Sequence, residues 1–460
     1  NSHTADTSSA AVGINYWLNG TNVATQAAWG DPGCVTGTWR AVTGGAGYWN
    51  LVGTNTVVLT STTGSWFTLS AGSGTSGAVK FSVTVTYTAL AAGTAVWQGN
   101  VSSNWQTAGN WSTGAVPIAT TPVYIGWRPT MPVLTANGTC ADLTIAATAT
   151  LGLGANTLTV NGNLTNNGTF NGGTGLLQFD GGTAATVSNS GTMNLYDLTI
   201  NKTGVAVNTA TALTVNRNMT VQGTASFNAT AAAITFAGGT VGAIANTSTA
   251  AAPQLTFFNL TVDKTAATVT STGNMTVNGA LVNQATGTFS ASGTVTFAGG
   301  APGAITNTST AAAPQLTFSG LTLNKTATID VTSTDSWTVS GDYANTNGDL
   351  VCTGGTVTFA GTADRAFAVD GGTVQFNNLT INQNTGTTRT WTSGAFTLLS
   401  TFNNAGAGNF FTALTWTLSG SNAVTLQGSG AGTTTVGALT INKTAATVTC
   451  TANITVNGSF

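Results

Sequence analysis

The sequence predicts an all-β protein: an N-terminal β-sandwich followed by a parallel β-helix, or β-solenoid, of about 16 coils. Three observations lead there. They are a composition that cannot clothe helices, a tandem repeat of about 60 residues that divides into thirds, and a drop in tryptophan content after the front of the chain. The 460 residues are 5% charged, include 59 glycines and no glutamate, and set 12 aspartates against 10 Lys and Arg. A surface helix needs Glu, Lys or Arg along its wet side, and few are available. Thr, Ser, Asn and Gly fill the polar positions instead, which suits strands and turns. Disorder is excluded because 41% of residues are hydrophobic and recur in register.

Nine of the 12 tryptophans fall in the first 127 residues, a composition shift that marks a domain boundary. Within residues 1–92, Val79, Phe81, Val83, Val85 and Tyr87 alternate with Lys80, Ser82, Thr84, Thr86 and Thr88, as in a strand with one buried and one wet face. Shorter strand candidates at 14–18, 57–60 and 66–70, set between turn residues, complete the expected sandwich behind a polar tail. Residues 93–140, with Pro117, Pro122, Pro129 and Pro132, form a junction leading into the solenoid.

Residues 141–460 carry the repeat. One marker begins at Leu143, Leu198, Leu260, Leu321, Leu379 and Leu439, with the pattern Leu-Thr-Ile/Val/Leu. A second centres on Val160, Val221, Val277, Val339, Leu398 and Val456, and a third on Phe179, Phe236, Phe297, Phe359 and Leu426. Together they step by about 20 residues, the length of one solenoid coil, so each unit reads as three coils and the stack as a rod ~75 Å long. Lys202, Lys264, Lys325 and Lys443 recur in one slot of the unit. On the three-coil reading they are spaced ~14 Å apart along one edge and keep rods from sticking edge to edge. Residues 245–257 recur almost letter for letter at 306–318, and the same reading has both loops project from one edge as spacers.

The junction reads Trp97-Gln98-Gly99, Asn104-Trp105, Asn110-Trp111 and Val116-Pro117, and is followed by GNLTNNGTF at 162–170 and by the pairing of Phe-Ala-Gly-Gly with Leu-Thr-x-Asn-Lys. This pattern resembles the segment ahead of β-helical repeats in bacterial secreted surface proteins of the filamentous-haemagglutinin and autotransporter-like adhesin type. The resemblance covers residues ~95–460 and concerns architecture alone. It implies export to the cell surface, with any signal peptide removed, and it brings no catalytic residues.

Candidate chemistry is sparse. His3 is the one histidine and sits in the polar tail, so no His-based triad or His metal site can form. Asp330, Asp335, Asp342, Asp349, Asp364 and Asp370 cluster in sequence, but beside Gly, Ser and Thr they read as turn residues. No cofactor is expected. The scattered cations exclude nucleic acid as a partner, and no apolar run reaches the ~18 residues of a membrane span. Cys34 and Cys140 are candidates for a disulfide clamping the front domain to the first coil. Cys352 and Cys450, ~24 Å apart along the rod, are too far apart to pair. Among many Asn-x-Ser/Thr sequons, Asn246 and Asn307 in the duplicated loops are the best-placed glycosylation candidates.

The expected function is that of an extracellular structural protein, a subunit of a surface filament or coat with adhesion as a further role. The chain stops inside a sixth unit without a polar capping segment. Head-to-tail assembly with other copies is therefore expected, through Ile454, Val456 and Phe460. Cell-surface glycans are a further expected partner. An enzyme acting on polysaccharide, or a carbohydrate-binding surface protein built on the aromatic front, is the alternative.

Overall fold

The computed structural model describes residues 90–326 and 329–460, together with the backbone of three strands further forward. Those strands, Ile14–Leu18, Thr21–Gln26 and Val57–Ser61, form one antiparallel sheet with Ile14–Leu18 in the centre. A single sheet is not a sandwich, and the other strands expected for one, at 66–70 and 79–88, lie outside the described residues.

From residue 95 the chain is a parallel β-solenoid of about 15 turns, a stack ~70 Å tall at one strand spacing per turn. Each coil visits three faces in order. In one early coil these are Leu143–Ile145 on the first face, Thr150–Gly152 on the second and Thr157–Val160 on the third. The next coil lays Leu164 on Leu143, Phe170 on Leu151 and Leu177 on Leu158. Alternation within each short strand sends Val, Leu, Ile and Phe inward and Thr, Asn and Ser outward, so one apolar core runs the length of the stack. Each such side chain contributes roughly 1.5–3 kcal/mol by leaving water. In the later coils the core turns aromatic, with Phe359, Phe367, Phe376, Trp391, Phe396 and Trp416 in contact at centroid distances of 4.5–6.3 Å.

The junction closes the core at its first coil. Trp97, Trp105 and Trp111 are buried and meet edge to face, 5.0 and 4.6 Å between centroids. Trp97 Nε1 donates to Thr130 O and Trp111 Nε1 to Trp105 O. Buried Asn110 accepts from the backbone N–H of Val101 and Ser102, which fixes the loop that carries Trp105. Gly99 is required because it has φ +64°, and a Cβ there would sit 2.5 Å from Thr130 O.

The strand registers correct the three-coil unit. Leu143 lies on the first face, Leu198 is stacked on Leu177 on the third, and Leu260 on Ile234 on the second. Leu321 is back on the first face, above Val295. A unit therefore spans eight strands, and each successive unit is turned back by one face. The physical reason is coil length: register partners lie 19 to 28 residues apart, as with Leu158 and Leu177 or Phe227 and Leu255, and most lie more than 20 apart, so 60 residues fall short of three coils. The duplicated loops accordingly leave from different corners. Residues 245–257 join the third face to the first, and 306–318 join the second to the third.

Glycine at the corners lets coils approach. A Cβ on Gly191 would lie 2.0 Å from Gly168 O, whereas one on Gly182 would meet nothing within 4 Å. Gly191→Ala should lower the thermal midpoint, at an overpacking cost of about 1–3 kcal/mol. Gly182→Ala should melt within about 0.5 kcal/mol of the parent.

Candidate functional site

Parallel ladders satisfy backbone groups along a face, but at each corner the chain turns and carbonyls face inward. The repeated lysines meet them. Each lysine ends a strand directly above a glycine of the previous coil: Gly181 under Lys202, Gly238 under Lys264, Gly299 under Lys325 and Gly420 under Lys443. All four glycines have positive φ, from +75° to +93°. Lys202 Nζ donates to Asp180 O and Asn161 O, both at 2.5 Å, so it ties its own coil to the two before it. Lys264 does the same with Ala237 O at 2.6 Å and Asn216 O at 2.5 Å. Lys325 binds Asn278 O, Ala298 O and Ala301 O at 2.5, 2.7 and 2.7 Å. Lys443 binds Ser419 O at 2.6 Å.

Three of these cations are inside and Lys443 is half-buried, which corrects the expected charged edge. Lys202, Lys264 and Lys325 are at most 1% exposed. They also occupy three different corners, because the unit turns by a face. Burial pushes the ammonium of all four lysines below the ordinary lysine range, and that of Lys325 down to about 8.

The fifth unit has glutamine in the slot, Gln383, stacked on Gly361. Arg389 enters the same corner from the next strand and takes over. It donates to Ala360 O at 3.0 Å and Gly341 O at 2.5 Å, one and two coils back, and its guanidinium lies 5.2 Å from the Phe359 ring. With its amide turned so that Oε1 faces the guanidinium, Gln383 accepts from Arg389 at 3.0 and 3.1 Å. Arg389 is fully buried, and that burial lowers its pKa to about 10. Sequence reading missed this substitution because Arg389 is six residues from the lysine slot. The signal available was the loss of lysine in one unit together with a lone arginine shortly after it. Sequence reading also took Leu426 as the third marker of that unit, whereas Leu439–Lys443 stacks on Trp416–Gly420.

The aspartates cap the ladder from outside. Asp335 accepts from Asn307 N–H, Asp342 from Ala366, Asp349 from Thr373 and Asp364 from Thr388, each on the neighbouring coil. Asparagines do the same elsewhere, as Asn259 does for Ala280. The sequence cluster is thus dispersed over three corners. Asp330, Asp349 and Asp370 share the corner from first face to second, and Asp342 and Asp364 share the corner from third face to first. There Arg365 is the register partner of Arg389. Asn274, Ser292, Thr294, Ser319, Asp342 and Arg365 line a shallow polar groove along this corner. Its turns are glycines, Gly293, Gly320 and Gly341, the last so close to the coil below that a Cβ would sit 1.5 Å from Ser319 O. Among the described residues no three His, Cys, Asp or Glu side chains converge as a metal site.

Cys140 and Cys352 are free, buried thiols, and burial pushes Cys352 up to about 12. Cys34, the expected partner of Cys140, lies outside the described residues. Cys450 is free and exposed. Asn246 and Asn307, the glycosylation candidates, are half-buried with committed amides: Nδ2 donates to Asn274 O and Ser336 O, both at 2.7 Å. In the last strand Ile454 and Val456 are half-buried against the core, and Phe460 is 84% exposed. No helix among the described residues is long and apolar enough to cross a membrane.

A family model described as a domain of unknown function (DUF8693) matches residues 96–195, from the tryptophan cluster through the first coils. No curated protein and no solved structure matches the chain.

Two predictions test the clamps. Lys264→Met keeps the stem but orphans two carbonyls, and chemical denaturation should show a loss of about 2–4 kcal/mol. Arg389→Met should destabilise similarly, and adding Gln383→Lys should recover part of the loss, since an ammonium in the slot reaches the same carbonyls. A third concerns pH. Between about 8 and the ordinary 10.5 of lysine, the folded chain has released the Lys325 proton while the unfolded chain holds it. Stability from this group therefore rises with pH across that window and is lost as pH falls to 8. The thermal midpoint of the parent should rise between pH 8 and pH 10 relative to that of Lys325→Met.

Proposed function

We propose that this chain is an exported structural protein, a subunit of a surface filament or coat that assembles from copies of itself. What supports the reading is where its reactive side chains go. Lys202, Lys264, Lys325 and Arg389 face backbone carbonyls in the interior, and Asp335, Asp349 and Asp364 each cap a neighbouring coil. The outer faces are left with hydroxyl and amide rows such as Thr317, Thr338, Thr358 and Thr380, stacked in register. Such a rod resists bending and carries little charge to repel a neighbour. Export and the adhesin likeness rest on the sequence resemblance, the β-sandwich front rests on the strand alternation within residues 1–92, and head-to-tail contact through Ile454, Val456 and Phe460 belongs to the same proposal.

Negative-stain microscopy and sedimentation of the purified full chain test it. Concentration-dependent rods or fibres are expected, and they should shorten when residues 450–460 are deleted. Monodisperse single subunits at every concentration would overturn the assembly reading.

A second reading, an enzyme acting on polysaccharide, has one observation in its favour. Asp342, Asp364 and Arg365 share one corner in successive coils. Shortened products after incubation with an acidic oligosaccharide would favour it over the structural reading.

A further inference from the structure

Arg365 breaks the rule the other cations follow. Among the described residues Lys202, Lys264, Lys325, Arg389 and Lys443 donate to carbonyls, Arg217 pairs with Asp197 and Arg128 has a partner. Arg365 makes no hydrogen bond, and its Nε is buried without an acceptor. Arg365 is half-buried: one N–H of its guanidinium is out of water without an acceptor, and an anionic or carbonyl oxygen that arrived there would make a hydrogen bond the fold leaves unmade. Arg365 lies at the end of a groove that follows the rod axis through several coils. The lining is hydroxyl and amide, from Asn274, Ser292, Thr294 and Ser319. Asp342 uses Oδ1 on Ala366 N–H and makes no bond through Oδ2. The groove thus offers a row of weak donors and acceptors, one carboxylate oxygen and one unpaired planar cation, with no apolar pocket.

We propose that this groove binds an extended polysaccharide strand containing uronic acids. Arg365 takes a sugar carboxylate in a two-pronged contact, Asp342 Oδ2 accepts from a sugar hydroxyl, and the Ser, Thr and Asn row follows the chain. A neutral glycan would leave Arg365 unpaired, and a folded protein partner would need apolar surface that the groove lacks. The site does not depend on self-assembly, so a monomer that binds and a fibre that does not are separable results.

The test is calorimetric titration of the full chain with a hexamer of mannuronic acid, with cellohexaose as the neutral probe. The acidic hexamer should bind and cellohexaose should bind at least about tenfold more weakly, the loss expected for one charge-assisted contact. Arg365→Met should lose the same factor with an unchanged melting curve, since Arg365 bonds nothing in the fold. Ser319→Trp fills the groove without touching the charge and should also abolish binding. Equal affinity of Arg365→Met and the parent, equal binding of both hexamers, no binding of the acidic one, or a lowered melting temperature for Arg365→Met would each overturn the site.

Discussion

Where a β-solenoid turns from one face to the next, its backbone loses the regular ladder, and the carbonyls left at the corner point toward a core that has nothing to donate. The rest of this structure depends on how those carbonyls are met. An ammonium is well suited because it brings three donors on a flexible stem, enough to reach two coils at once. Lys325 uses all three, on Asn278, Ala298 and Ala301. A buried cation is costly in isolation, and here the carbonyl dipoles of successive corners offset that penalty. Asp and Asn play the complementary part from outside, accepting backbone N–H groups of the neighbouring coil. Coils are thus joined by ladder bonds on three faces and by side-chain bonds at three corners.

Much of the architecture was legible in the sequence. The alternation of Leu, Val, Ile and Phe with Thr and Asn fixed the strands, and the recurrence of glycine fixed the turns. The pairing of Phe-Ala-Gly-Gly with Leu-Thr-x-Asn-Lys proved to be a vertical contact, with Phe236 under Val262 and Gly238 under Lys264. What the sequence did not convey was the number of strands per unit. Corner insertions such as 245–257 lengthen individual coils, and a mean spacing of markers cannot distinguish eight strands from nine. That single miscount carried the lysines and the duplicated loops to one edge, whereas the registers spread both around the rod. It also hid the burial of the lysines, because charge on a strand end reads as solvated unless its carbonyl partners two coils away are known.

Arg389 shows why the slot is defined by geometry and not by position. Its side chain starts on the far side of the corner from Gln383, yet it finds Ala360 O, the equivalent of the Ala237 and Ala298 carbonyls that Lys264 and Lys325 bind, and reaches Gly341 O two coils back. Arg365, one coil earlier in register, has the same approach and no carbonyl to meet. Two arginines in register therefore differ in kind, one satisfied by the fold and one left over from it. The distinction depends on bonds formed between residues more than 20 positions apart, which explains why no motif announces it.

The eight-strand unit also constrains the cross-section. A unit that returns to the same face needs only that its own three sides be packed somehow. A unit that steps back one face each time places the same inward pattern on every side in turn: Leu143, Leu198 and Leu260 perform one role on three faces. Each face must then be able to accept that inward pattern in turn. Any substitution that enlarged one inward slot in every copy would press on all three sides in rotation instead of bowing the rod toward one. The mismatch between repeat and coil also distributes clamps and loops around the axis without any residue being chosen for that purpose.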